Sequence, residues 1–114
     1  MNFPPEPLAR LACVTLFVAI AASPAGAAQN AAGAATYGAR CSACHAPDGS
    51  GDTVIGKSAN IPDLRFAPVQ SQADAQLQDV IAHGTGRMPG FASSLSDDDI
   101  HSVVLYVRQL AKTN

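Results

Sequence analysis

At 114 residues the chain has room for one domain and none for a separate catalytic unit. A formal net charge of -2 and an isoelectric point near 5.8 exclude the electrostatic footprint of a nucleic-acid binder and a polybasic membrane patch. Hydrophobic content is 47%, but much of it is alanine or lies near the N-terminus; with 5% aromatics and no tryptophan the remainder is short of core, a gap that a bound cofactor would fill.

Arg10 precedes an apolar run from Leu11 to Ala22, twelve residues long. That suits the core of a secretory signal peptide and falls short of the roughly 20 residues that span a bilayer. Ala25 and Ala27 form an A-x-A cleavage pattern, with Gly26 and Ala28 one residue later, so residues 1–27 read as a leader removed after Ala27 or Ala28. Glu6 and three prolines weaken its positive n-region, and a leader left uncleaved would act as a membrane anchor. Cys13 lies within the leader, at the wrong place for a lipid-modified cysteine. The working domain is then 28–114, in an exported, bacterial periplasmic protein.

The first helical pattern covers residues 31–45, where alanine dominates and Gly33, Tyr37 and Cys41 recur at i, i+4, i+8 on one face. It ends in Cys41-Ser42-Ala43-Cys44-His45. A disulfide across so short a loop gains little from chain entropy. A thioredoxin-like dithiol calls for a preceding strand and a βαβ pattern, and neither is legible. Zinc needs four ligands, whereas the remaining histidines, His83 and His101, stand eighteen residues apart. C-x-x-C-H is the attachment pattern of haem c: two thiols reach two vinyl groups on one porphyrin edge, and the adjacent imidazole turns under the iron.

Residues 46–70 carry Pro47, Gly49, Gly51, Gly56, Pro62 and Pro68 and read as a long loop wrapped on a cofactor, with Val54, Ile55, Ile61, Leu64 and Phe66 as spare apolar groups. A second helix is predicted from Ser71, with Asp74 completing an S-x-x-D cap, through Leu77, Val80 and Ile81 to Gly84. Next comes Gly86-Arg87-Met88-Pro89-Gly90-Phe91, where Pro89 keeps Met88 out of the α region and glycines loosen the backbone. Met88 is the only thioether beyond the leader, displayed from a loop as a sixth iron ligand would be; a five-coordinate iron or His83 as ligand are the alternatives. The third helix opens on Ser96-Asp97-Asp98-Asp99, ends near Arg108 and Lys112, and carries the stripe Ile100, Val103, Val104, Val107, Leu110. The fold class is all-α, with about three main helices. His83 and His101 both read as surface residues.

With Gly33, Tyr37, the C-x-x-C-H run, Met88-Pro89 and Tyr106, residues 31–112 resemble a class I cytochrome c. The resemblance implies that the first and last helices cross with Gly33 and Tyr37 against Val103, Tyr106 and Val107. It implies that the carbonyl of Pro62, in Ile61-Pro62-Asp63-Leu64-Arg65, accepts from the second ring nitrogen of His45. Arg65, beside Pro62, is a candidate partner of a haem propionate. Only two lysines, Lys57 and Lys112, are present, so a lysine-rich docking ring is not expected, although Arg40, Arg65 and Arg87 offer positive charge.

The expected function is one-electron transfer by one covalent haem c with His45/Met88 ligation, and no residue acts as acid or base, so no enzyme is expected. Donor and acceptor would be redox proteins: a dehydrogenase, a quinol-oxidising complex or an oxidase. The Ile61-to-Arg65 stretch also resembles haem domains served by quinoprotein alcohol dehydrogenases. Two rival readings follow: a haem subunit permanently bound to such a dehydrogenase or a terminal oxidase, and a five-coordinate haem peroxidase or gas-binding module.

Overall fold

The computed structural model describes residues 1–2 and 24–113; the apolar run from Leu11 to Ala22 and Cys13 lie outside the described residues. Six helices follow in chain order and no strand is present among the described residues. α1, Ala25–Arg40, begins ahead of the start at residue 31 that the alanine pattern predicts, because Ala25, Ala27 and Ala28 are themselves strong helix formers. It stops at Cys41, where φ of -115° leaves helical geometry, and a separate single turn, α2, Ser42–His45, carries the rest of the motif. The hydroxyl of Ser42 donates to the Gly38 carbonyl at 2.7 Å, a back-bond of the kind that bends helices at this spacing.

The stretch 46–70 is not the element-free loop of the sequence reading. It contains α3, Val54–Ala59, capped by Thr53 and closed by Asn60 at φ +52°, and α4, Ala67–Gln70, with Pro68 in its first turn. With six and four residues, neither is long enough to show a periodic apolar face. α5, Asp74–His83, starts two residues later than a cap at Ser71 predicts, with Ala73 in the cap position. Ser71 is used instead to close α4, its N–H donating to Ala67 at 2.9 Å, and the N-terminal bond of α5 comes from Gln76, whose side-chain oxygen accepts from Ala73 N–H at 2.9 Å. α6, Asp97–Leu110, has the expected start: Ser96 Oγ accepts from Asp99 N–H at 3.2 Å, and the Asp99 carboxylate accepts from Ser96 N–H at 3.1 Å.

The core lies where α1 crosses α6. All five stripe residues of α6 are buried, with Tyr37 from α1, Val69 from α4, and Leu77 and Ile81 from α5. At the crossing, a Cβ added to Gly33 would sit 2.0 Å from the Ser102 carbonyl oxygen and 3.2 Å from Tyr106 Cβ. One turn on, the rings of Tyr37 and Tyr106 meet at 5.2 Å between centroids, tilted by 56°. The crossing expected from the resemblance is present, with Ser102 supplying the closest approach.

A polar clamp fastens the segment before α5 to α6. Arg108 donates from Nε and Nη2 to Asp74 at 3.0 and 2.8 Å, from Nη1 to the Gln70 carbonyl at 2.9 Å, and from Nη2 to the Gln72 carbonyl. Gln70 Nε2 in turn donates to the carbonyls of Leu64 at 2.7 Å and Val107 at 3.1 Å. Among the described residues no helix is long and apolar enough to cross a membrane.

Gly33→Ala is expected to destabilise the protein by about 2 kcal/mol, the usual scale for forcing an atom into a packed contact. The check is the urea midpoint, which should fall at constant slope; an unchanged midpoint would show that α1 and α6 can part without loss.

Candidate haem site

The break between α1 and α2 sets the geometry of the motif. Cys41 sits at the junction, while Cys44 and His45 occupy the single turn that follows. Both cysteines are half-buried and unpaired. Burial, with a smaller contribution from Cys44, pushes the Cys41 thiol up to about 11. A redox dithiol needs the opposite, a depressed thiol, and no strand precedes the motif among the described residues. Desolvation lowers the pKa of His45, which favours the neutral imidazole that binds metals.

His45 Nδ1 is buried and has no hydrogen-bond partner, the one such side-chain atom among the described residues. The Pro62 carbonyl, its expected partner, does not supply the bond. Ile61 N–H is tied to Gly56 at 3.1 Å and Leu64 N–H to Gly49 at 2.9 Å, and Pro62 between these anchors is exposed.

The backbone around His45, by contrast, is held at every step. Thr53 Oγ1 donates to the Cys44 carbonyl at 2.8 Å, Gly51 N–H to the His45 carbonyl at 2.8 Å, and the Tyr37 hydroxyl to the Ala46 carbonyl at 2.8 Å. Gly56 leaves room for this, since a Cβ there would lie 2.6 Å from the Cys44 carbonyl oxygen. Ala46 itself is buried at φ +64°, ψ 158°, a region that glycine occupies readily and alanine does not. The sequence flags Tyr37 only as an aromatic and misses Thr53 and Ala46; the T-x-x-G spacing of Thr53 and Gly56 was the one available hint.

Met88 is displayed from a tight turn. Its N–H donates to Thr85 at 2.8 Å, Thr85 N–H returns to Met88 at 3.1 Å, and Gly86 at φ +54° makes the corner. Gly84, at φ +79°, passes so close that a Cβ would lie 2.4 Å from the Met88 carbonyl oxygen. Phe91 and Ala92 N–H groups then fasten the chain to Ile81 and Ala82 of α5, at 2.9 and 3.0 Å. Met88 is half-buried, and it and Cys41 pack against the same core cluster. Arg87 beside it reaches across to the Ser58 carbonyl of α3 at 3.5 Å.

Arg65 is engaged by carboxylates. Its Nε and Nη2 donate to Asp63 at 2.9 and 2.7 Å, Asp48 lies 3.6 Å from Nη1, and the guanidinium stands 5.6 Å from the centre of the Phe66 ring. The Arg65 hydrogen bonds hold the Asp63 carboxyl below the usual carboxylate range. His83, the alternative ligand, is exposed with Nδ1 3.0 Å from Asp79 Oδ1. His101 is half-buried rather than a free surface residue, its Nδ1 3.0 Å from Gln78 of α5.

Two unpaired thiols, a neutral imidazole next to them and a displayed thioether are a donor set that fits haem c. With the helical fold and the α1–α6 crossing, they define a class I c-type cytochrome. Comparison with known proteins agrees. Residues 28–107 match the family described as cytochrome c oxidase, cbb3-type, subunit III, and the chain belongs to this family of cytochrome c domains. It is similar to cytochrome c6 of Picosynechococcus sp., 34% identical over 97 residues that cover 81% of this chain and 82% of the relative. It is likewise similar to cytochrome c6 of Leptolyngbya boryana, 34% identical over 88 residues covering 75% and 96% of the two chains. Among solved structures, the KustC0563 c-type cytochrome superposes with a TM-score of 0.64 at 26% identity, over 68% of this chain and 95% of that one. The protein is accordingly a haem c electron carrier rather than an enzyme.

Ala46→Gly is expected to stabilise the protein by about 1 kcal/mol, because relief of a strained backbone of order 1–3 kcal/mol outweighs the lost methyl and the greater freedom of unfolded glycine. Denaturant midpoints of the two proteins measure it. A loss of stability would show that Ala46 is unstrained.

Proposed function

We propose that the protein is an exported one-electron carrier in which Cys41 and Cys44 hold haem c by thioether bonds and His45 and Met88 are its axial ligands. The observation that carries this reading is the donor set itself: a half-buried neutral imidazole directly after two unpaired cysteines, and the sole thioether of residues 28–114 displayed from a turn braced by Gly84 and Gly86. Haem c supplies a one-electron ferric/ferrous couple. His45 contributes a basic ring nitrogen, and Met88 a soft sulfur that favours the reduced state, raising the potential relative to a second histidine. The core beneath, Tyr37, Val69, Val103, Val104 and Val107, keeps water away and disfavours added charge. No proton need move, and the bound haem would exchange single electrons with redox proteins.

The export leader at residues 1–27, with cleavage after Ala27 or Ala28 and a periplasmic destination, is part of the same proposal. Covalent haem attachment suits that route, since a C-x-x-C-H protein with a signal peptide is matured outside the cytoplasm. The span of the matches supports a free carrier: the chain covers 82% and 96% of the two cytochrome c6 relatives, small proteins of similar extent. The family's description names an oxidase subunit, which favours a second reading as a haem subunit of a larger complex. Gel filtration of the native protein from its own membranes and periplasm separates the two.

Full-length protein exported in a cell that matures c-type cytochromes should keep haem through denaturing electrophoresis. Cys41→Ala with Cys44→Ala should abolish that staining, and retention would overturn the attachment. Met88→Ala should remove the sulfur-to-iron charge-transfer band, admit carbon monoxide and lower the midpoint potential by on the order of 0.1 V, well inside the roughly 0.8 V range that axial ligands command. A low-spin spectrum and potential unaltered in Met88→Ala would sink the ligand assignment.

A further inference from the structure

We propose that the hydroxyls of Tyr37 and Thr53 are positioning residues that set the orientation of the His45 imidazole, acting through the carbonyls of Ala46 and Cys44 on either side of it. The inference rests on the reading of His45 as an iron ligand. α2 is a single turn of four residues, too short to hold its own shape, so whatever fixes its neighbours fixes His45. Control of the ring's position therefore runs through the main chain of this turn.

The main chain is well placed to exert it. The Tyr37 ring is seated in the α1–α6 crossing, 2% exposed and against Tyr106, and its hydroxyl spans nine residues to the Ala46 carbonyl at 2.8 Å. Burial raises the Tyr37 pKa, so the group remains a donor throughout the physiological range. That single bond, with Gly49 N–H at 3.2 Å on the same oxygen, holds Ala46 in a backbone conformation alanine would otherwise leave. On the other side, Thr53 Oγ1 accepts from Gly56 N–H at 2.8 Å while donating to Cys44 at 2.8 Å, so the start of α3 and the haem-attachment turn share one hydroxyl. The peptide plane before His45 and the plane after Ala46 are thereby tied to two different helices, α3 and α1. The direction of the His45 Cα–Cβ bond, and so the place from which the imidazole would approach the iron, follows from this backbone frame.

The plain alternative is that each hydroxyl merely satisfies a carbonyl, in which case its removal costs stability and nothing else. The test uses full-length, haem-loaded protein with Tyr37→Phe, Thr53→Val and Thr53→Ser. Thr113→Val serves as control, because Thr113 also donates its hydroxyl to a backbone carbonyl, that of Leu110 at 3.1 Å, away from the site. Midpoint potential, the paramagnetically shifted His45 and haem-methyl NMR resonances, and thermal midpoint are read for each. Tyr37→Phe and Thr53→Val should stay covalently loaded and low-spin, yet displace the shifted resonances and the potential beyond the control, while Thr53→Ser restores wild-type values. Adding Ala46→Gly to Tyr37→Phe should recover thermal stability but not the resonance pattern, since glycine relieves strain without replacing the bond. The inference is overturned if both variants lower the thermal midpoint and leave resonances and potential at control values. If Tyr37→Phe does not fold, Thr53→Val against Thr53→Ser decides alone. A wild-type spectrum without histidine ligation would instead defeat the underlying ligand reading, a distinguishable result.

Discussion

Gly33 lies so close to the carbonyl of Ser102 that no side chain fits between them, and the position of the haem-bearing turn depends on this crossing of α1 over α6. With α1 pressed onto α6, Tyr37 is driven into the core, and its hydroxyl comes within reach of the backbone just past His45. The same contact aligns the stripe from Ile100 to Leu110 with Leu77 and Ile81 of α5. α5 then carries the Met88 turn, strapped to its end by Phe91 and Ala92. One close backbone approach thus underlies the placement of both the C-x-x-C-H turn and the Met88 turn.

Between these fixed points the chain is organised by main-chain carbonyls more than by apolar packing. Gly49, Gly51 and Gly56 let the backbone turn tightly beneath the motif, and their N–H and C=O groups bond to Ala46, His45, Leu64 and Ile61. The segment from Leu64 to Asp74 is held to α6 by Gln70 and Arg108. Three apolar residues in this part stay outside: Val54 is 87% exposed, and Ile55 and Phe66 are more than half exposed. Positive charge nearby is tempered, because Lys57 pairs with Asp52 at 2.5 Å and Arg65 with Asp63.

The electrostatics of the motif suit cofactor attachment and argue against free thiol chemistry. A Cys41 thiol raised to about 11 is a poor nucleophile on its own, so a thiol-exchange role has no support, while a matured cysteine carries no ionisable group at all. The neutral His45 needs no proton release to bind a metal. An electron carrier of this kind asks little of its protein beyond rigid geometry around its cofactor, and residues 37–56 and 84–91 are held by a dense set of main-chain hydrogen bonds.

Much of this was legible in the residues. Spacing alone marked C-x-x-C-H as a haem site, the i, i+4, i+8 recurrence placed Gly33, Tyr37 and Cys41 on one face, Ser96 to Asp99 announced the start of α6, and its stripe named five core residues correctly, because these signals are local and periodic. Short elements escaped: α3 and α4 have too few turns for periodicity, and Ser71, which has the local form of a cap for α5, closes α4 instead because Ala73 and Gln76 supply that N-terminus. Pro62 was assigned by analogy to bond His45, but it is exposed between the anchored Ile61 and Leu64, and His45 Nδ1 has no partner among the described residues. Arg65 is committed to Asp63, a partner two residues away that sequence could suggest but not rank against a propionate. The hydroxyls of Tyr37 and Thr53 and the strained Ala46 emerged only from the fold. Each depends on which carbonyl a side chain meets nine residues away in the chain, and that distance is closed by tertiary packing rather than by any pattern written along the sequence.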